Sequence, residues 1–258
     1  MFIEERHQEI LKTIEQNGRI SIGEIQEKYD VSVDSARRDL RILEEKGLLK
    51  RTHGGAIPIM KVGIGPPAKW NHRDMEKIYD NYDAIAKRAA SIISESEIVY
   101  LTSASVGFLM CKYLPIDINF TLVTNSIIIA DELRCRDNIT IYVVGGKMRQ
   151  SGTVVDAYAT EFVKNLRFDV NFMTAAGFSS DFGMSNGTPE TAIFQQTVIE
   201  NSRKNIALFP NEKIGFNAFI KVVDASVFDI LITDWDAVEE ELTRIQDLGV
   251  DVVVVEKP

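Results

Sequence analysis

Beyond about Met75 the chain alternates between short apolar runs and longer stretches with one apolar side, and this alternation constrains its fold more than any other feature. The runs occupy residues 98–101, 121–124, 139–144, 170–173, 230–233 and 252–255. Each has the length of a strand, and their unbroken apolar character predicts burial on both faces. Between them, residues 83–93 place Ile85, Ala89, Ile92 and Ile93 on one side of a helix. Strands separated by helices rejoin a sheet through crossover connections, so the expected fold class is α/β with a mostly parallel sheet.

Residues 3–57 have a different texture, dense in charge and in helical periodicity, and glycine and proline cluster between Pro58 and Pro67 as in a linker. The expected organisation is therefore a small unit over 1–57, a linker over 58–75 and a larger unit over 76–258. With 45% hydrophobic and 26% charged residues in 258, the composition is that of a folded globular chain. A net charge of −9 argues against coating of nucleic acid or membrane by the whole surface, but leaves room for a small basic patch. No apolar run approaches the roughly 20 residues that span a bilayer, and the acidic start lacks signal-peptide character, so a cytoplasmic protein without membrane contact is expected. The two cysteines, Cys111 and Cys135, lack metal-ligand spacing and read as structural. His7 and His72 have no evident partners, and neither metal nor cofactor is expected.

In the first unit, a helix over residues 3–15 ends at Asn17-Gly18, a second spans residues 22–29, and Asp30-Val31 makes a turn. Ser32 can cap a third helix running to about Lys46, with Gly47 as its stop. At 100° per residue, Val33, Ala36, Leu40 and Leu43 share one face of this helix. Asp34, Arg37, Arg38 and Arg41 share the opposite face. Arginines on the outer face of a helix that follows a tight turn suit a DNA major groove, where each can clamp a guanine edge or hold a phosphate. Ser35 is placed to meet a phosphate or a base. Residues 48–57 then read as a hairpin with a glycine tip, flanked by Lys50, Arg51 and His53, the form of a wing. The competing reading pairs the arginines with Asp34, Glu44 and Glu45 as ordinary solvated charge. Bulk charge does not decide between them, since residues 1–57 hold 10 Lys or Arg against 11 Asp or Glu.

The ordered series from Val31-Ser32-Val33-Asp34-Ser35-Ala36-Arg37-Arg38-Asp39-Leu40 through Arg51-Thr52-His53-Gly54-Gly55-Ala56 resembles the winged helix-turn-helix of DeoR-type bacterial transcription regulators. Ser35-Ala36 replaces the Thr-Ile usual in that family. The resemblance continues through Leu122-Val123-Thr124-Asn125-Ser126, Val144-Gly145-Gly146-Lys147-Met148-Arg149, Gly177-Phe178 and residues 229–234. It implies a C-terminal sensor domain related in fold to ribose-5-phosphate isomerase and coenzyme A transferases. It also implies a double-stranded DNA operator as partner, a small anionic metabolite such as a sugar phosphate as effector, and repression as the usual outcome. Tight binding by a nearly neutral head calls for two half-sites, hence a homo-oligomer.

Parallel sheets bind ligands at the carboxyl ends of their strands, where hydroxyls, glycines and helix N-termini cradle anions. Thr102, Ser103 and Ser105, then Thr124, Asn125 and Ser126, then Gly145, Gly146 and Arg149 follow three successive runs and form the candidate effector site with Glu190 and Lys213. Each turn taken singly reads more readily as loop and capping chemistry, and their recurrence after successive strands is what puts the ligand-binding reading on an equal footing. The chain departs from the family at Thr102-Ser103-Ala104-Ser105-Val106, where Asp-x-Gly-Thr-Thr is common. It departs again at Pro210-Asn211-Glu212-Lys213-Ile214-Gly215 and at Gln195-Gln196. Those departures imply a different effector or a vestigial pocket. An isomerase drawing on Glu190, Asp181, Arg149 and Lys213 is the alternative from another function class.

Overall fold

A computed structural model describes residues 3–17, 19–52, 54–58 and 80–258, and the contacts divide the chain into Met1–Lys61 and Val62–Pro258. The expected linker, apart from Pro58, lies outside the described residues, as do His53, His72 and the first four residues of the expected second domain.

In the first unit, α1 (Ile3–Asn17) leads to a two-residue strand β1 (Ile20–Ser21), then α2 (Ile22–Tyr29), α3 (Val33–Glu45), β2 (Leu49–Thr52) and β3 (Gly55–Pro58). A capping box starts α2: Ser21 Oγ accepts from the Glu24 amide at 3.1 Å, and the Glu24 carboxylate accepts from the Ser21 amide at 2.6 Å. These bonds hold the Glu24 carboxyl below the usual carboxylate range. Asp30 turns the chain at φ 50°, and Ser32 Oγ caps α3 by accepting from the Ser35 amide at 3.2 Å. Ile10, Ile14, Ile25, Ala36, Leu40 and Leu43 close the core over the hairpin residue Leu49.

Val33, expected on the packed face, is instead 37% exposed. Side chains tilt toward a helix's N-terminus, so a first-turn residue projects past the end of the neighbouring packing. The sheet order β1-β3-β2 adds a strand that the sequence reading omitted, because two residues carry no periodicity. Gly55 is what lets β3 approach β1, since a Cβ there would lie 2.0 Å from the Ile20 carbonyl oxygen. We expect Gly55→Ala to destabilise this unit by about 1–3 kcal/mol as an overpacked contact. The measurement is hydrogen exchange of the β1–β3 amides, and unchanged protection would contradict the close approach.

The second unit begins with α4 (Asp80–Ala90), β4 (Ile98–Leu101), α5 (Ser105–Met110), β5 (Phe120–Thr124), α6 (Ile127–Leu133) and β6 (Ile139–Val143). It continues with α7 (Ala157–Lys164), β7 (Phe168–Met173), β8 (Gly177–Ser179), β9 (Gly183–Asn186), α8 (Pro189–Glu200) and β10 (Ser202–Leu208). It ends with β11 (Ile220–Val223), β12 (Ile230–Asp234), α9 (Glu239–Asp247) and β13 (Asp251–Val255). Seven strands form one sheet in the order β13-β12-β10-β7-β4-β5-β6, every neighbouring pair parallel. Successive strand residues feed opposite cores. Val99, Leu101, Leu122 and Phe172 pack with Ile85, Val106 and Ile129, while Tyr100, Val123 and Met173 pack with Ala159, Phe194 and Ile245.

All six predicted runs are strands of this sheet. The seventh, β10, escaped prediction because its first half, Ser202-Arg203-Lys204-Asn205, is polar and Arg203 and Lys204 reach solvent at the rim. A small antiparallel sheet, β11-β9-β8, was also unanticipated, its strands being only three or four residues long and β8 and β9 rich in glycine and serine. The chain passes from β4 outward to β5 and β6, then returns to the other side of β4 as β7. The carboxyl ends of β4 and β7 therefore flank the topological switch point, where open α/β sheets bind ligands.

Candidate functional site

Helix α3 presents Arg37, Arg38 and Arg41 to solvent, opposite the buried Ala36, Leu40 and Leu43. Among the described residues, neither Arg37 nor Arg38 has an acidic partner, and Arg41 only approaches Glu45 at 3.9 Å. Glu44 is committed elsewhere: its carboxylate accepts from the Arg51 amide at 2.8 Å and from Arg51 Nε at 2.7 Å. That pair ties β2 to the end of α3, so Arg51 braces the wing while Lys50 beside it is exposed. Ser35 is half-buried, and its Oγ accepts from Ser32 Oγ at 3.0 Å, which places it in the cap at the start of α3.

Asp39, one residue from Arg38, was not singled out by sequence, yet it fixes α3 to α1. It is 3% exposed and accepts from Arg6 Nε at 2.7 Å, from Arg6 Nη2 at 3.2 Å and from His7 Nε2 at 3.1 Å. The carboxylate raises the Arg6 pKa above its ordinary value. His7, for which no catalytic partner was expected, belongs to a buried polar cluster.

The sheet order sets the loops after β10, β7, β4, β5 and β6 side by side along one edge of the second unit. After β4, Thr102 is buried, with Ser103 and Ser105 half-buried at the start of α5. After β5, the polar atoms of Thr124, Asn125 and Ser126 serve the fold itself. Thr124 Oγ1 accepts from the Ser126 amide at 3.1 Å. Asn125 accepts from the Tyr100 hydroxyl at 2.9 Å and donates to the Val154 carbonyl at 3.0 Å. Ser126 Oγ caps α6 by accepting from the Ile129 amide at 3.2 Å.

After β6, Gly145 and Gly146 are exposed, and Gly146 sits at φ 144° where a Cβ would lie 2.4 Å from Asp156 Oδ1. Asp156 accepts from the Lys147 and Ala159 amides, each at 2.9 Å, and these bonds lower its pKa. Arg149 lies exposed beyond this turn and donates from Nη1 to Thr191 Oγ1 at 3.2 Å. That bond brings the β6 loop to the first turn of α8, where Glu190 is also exposed.

The loop after β10 carries Lys213 in a one-turn 3-10 helix, Asn211–Lys213. Lys213 is half-buried, and among the described residues its ammonium has no hydrogen-bonding partner. Desolvation pushes its pKa below the ordinary lysine value, against an opposing pull from Glu212. Buried Asp234, at the end of β12, organises this loop. Its carboxylate accepts from the Asn211 amide at 2.7 Å, from Asn211 Nδ2 at 2.8 Å and from Asn81 Nδ2 at 3.2 Å. Two further hydroxyls at strand ends, Thr174 Oγ1 after β7 and Thr233 Oγ1 in β12, are buried without a hydrogen-bonding partner among the described residues. Sequence reading passed over both, although a hydroxyl at the end of an apolar run is the signal that selected Thr102 and Thr124.

Cys111 packs in the body core, where burial pushes its thiol up to about 12, and Cys135 is exposed just past α6. Among the described residues no cluster of His, Cys, Asp and Glu could hold a metal ion, and no helix is long and apolar enough to cross a membrane.

Residues 6–62 match the DeoR-like helix-turn-helix domain and residues 78–235 match the DeoR C terminal sensor domain. The HTH-type transcriptional regulator GolR of Listeria innocua is 28% identical over 257 residues, covering 99% of this chain and 100% of the relative. The glycerol-3-phosphate regulon repressor of Escherichia coli is 26% identical over 231 residues, covering 89% of this chain and 90% of its own. Among solved structures, ribose 5-phosphate isomerase A from Methanocaldococcus jannaschii aligns with a TM-score of 0.38 at 12% identity, over 52% of this chain and 53% of that one.

Proposed function

Because the chain belongs to the DeoR family of transcription regulators, we propose that it is a cytoplasmic repressor whose hold on an operator is set by a sugar phosphate or a similar small anion. In this reading residues 1–57 bind DNA, residues 58–75 link, and residues 76–258 sense the effector and assemble subunits. Arg37, Arg38 and Arg41 meet the major groove, Ser35 and Lys50 meet phosphates nearby, and Arg51 holds the wing in place. The effector lies along the strand ends, between the loop after β4 and Lys213, with Arg149 and Gly145 at its rim. Thr124, Asn125 and Ser126 shape the floor through their internal bonds. The name of the glycerol-3-phosphate regulon repressor supports a phosphorylated effector.

One observation carries the sensor reading: the Lys213 side chain is desolvated, with no hydrogen-bonding partner among the described residues, at the carboxyl edge of a parallel sheet. A fold retains such a group at a cost, and a bound anion removes that cost. No chemistry on the ligand is proposed. The two candidate carboxylate bases, Glu190 and Asp181, are both exposed to solvent rather than enclosed against a reacting group.

A thermal-shift screen of the full chain against three- to six-carbon sugar phosphates tests the site. A ligand at 100 times its Kd stabilises the native state by about 2.7 kcal/mol. Lys213→Met is expected to melt higher than the parent without ligand and to lose the ligand's stabilisation. The folded state depresses the Lys213 pKa, so its penalty is full below that depressed value and fades as pH rises from there toward the ordinary lysine value. Anion binding should weaken over the same interval. Equal ligand stabilisation in parent and variant would exclude Lys213 from the site.

A further inference from the structure

The first turn of α4 is hydrogen-bonded to the loop that carries Lys213. Tyr82 donates its hydroxyl to Glu212 Oε1 at 2.6 Å, and Asn81 donates to Asp234 Oδ2, the carboxylate oxygen that also accepts the Asn211 amide. Asn211 and Glu212 are the two residues before Lys213 in its 3-10 turn, so the Tyr82 contact ends on the short segment that carries the ammonium and the Asn81 contact reaches it through Asp234. Among the described residues helix α4 is the first element of the second unit in chain order, and residues 59–79 join it covalently to the DNA-binding unit.

We propose that Tyr82 and Asn81 are the positioning residues that couple effector occupancy to operator binding. The proposal rests on the sensor reading above. An anion drawn to Lys213 competes for the charge that Glu212 supplies at that position, and any movement of Glu212 strains or releases the Tyr82 hydrogen bond. The Asn81–Asp234 bond makes the end of β12 respond together with α4. In this proposal the turn of α4 differs between a Glu212-held and a Glu212-released arrangement, and it is covalently continuous with the first unit through residues 59–79. Coupling of this kind requires a discrete element biased by both sites, a part assigned in the proposal to this hydrogen-bonded turn.

Tyr82→Phe tests this in the full chain, because it removes only the hydroxyl and keeps the ring that packs against the core beneath α4. The probes are a panel of three- to six-carbon sugar phosphates, with inorganic phosphate as control. For the parent, allosteric coupling of ordinary size changes operator affinity by about 5- to 150-fold when the effector is saturating. In Tyr82→Phe that ratio is expected to fall at least threefold, while the same sugar phosphate still stabilises the variant and the operator is still bound. Asn81→Ala is expected to act in the same direction, and Glu212→Gln, whose amide oxygen can still accept from Tyr82, to retain more coupling than Glu212→Ala. An undiminished ratio in both Tyr82→Phe and Asn81→Ala would overturn the coupling role and leave the sensor reading intact. Failure of every sugar phosphate to stabilise the parent would overturn the sensor reading and this proposal together.

Discussion

Replacing Arg37 and Arg38 together by alanine is expected to cost operator binding about 2–6 kcal/mol, taking about 1–3 kcal/mol for each arginine that reads a guanine. Neither side chain has an acidic partner among the described residues, so the loss would fall on DNA contacts rather than on the fold. Salt distinguishes the kind of contact. An arginine on a phosphate flattens the slope of log affinity against log salt by about 0.9, whereas one reading a base edge leaves the slope near its parent value and erodes discrimination between sequences. Operator binding at parental strength by the double variant, with its melting unchanged, would remove α3 from the interface.

Asp39→Ala should strike the same helix from its buried side. The substitution leaves Arg6 and His7 facing an empty site, and removing one partner of a buried ion pair destabilises by about 3–5 kcal/mol. For a unit this small, whose core rests on a few aliphatic residues, that is a large part of its stability. The expected result is early melting of the first unit in hydrogen exchange, with the second unit's amides unaffected. Asp39→Asn, which keeps the volume and one acceptor, should lose less. Parental protection throughout α1 and α3 in Asp39→Ala would show that the cluster contributes little to anchoring the reading helix.

The contrast between the two sites shows what kinds of information the sequence carries. The arginine face was legible because helical geometry turns spacing directly into direction, and the six predicted strands because buried parallel strands must be apolar throughout. Asp39 was not legible: beside two exposed arginines it reads as one more surface charge, and only the third dimension places it over Arg6 and His7. The interior strand β10 was hidden by its charged rim. Thr124, Asn125 and Ser126 follow a strand as ligand-binding residues do, yet the structure spends their polar atoms on Tyr100, Val154 and the cap of α6. Pattern locates a strand end, but it does not say whether the hydroxyls there face inward or toward a ligand. The contacts of Asn81 and Tyr82 span 153 and 130 residues of sequence, beyond the reach of any local rule.

The central claim is that one chain joins operator binding to metabolite sensing, and a single affinity measurement addresses it. Genomic fragments retained by the purified full-length protein supply the operator, and the thermal-shift screen supplies the sugar phosphate. Operator affinity is then measured by fluorescence anisotropy with and without that compound at saturation. The account predicts a change of at least about fivefold, the lower end of ordinary allosteric coupling, with the reciprocal change in the compound's affinity when operator is bound. An operator affinity that stays the same while the compound is demonstrably bound would contradict it.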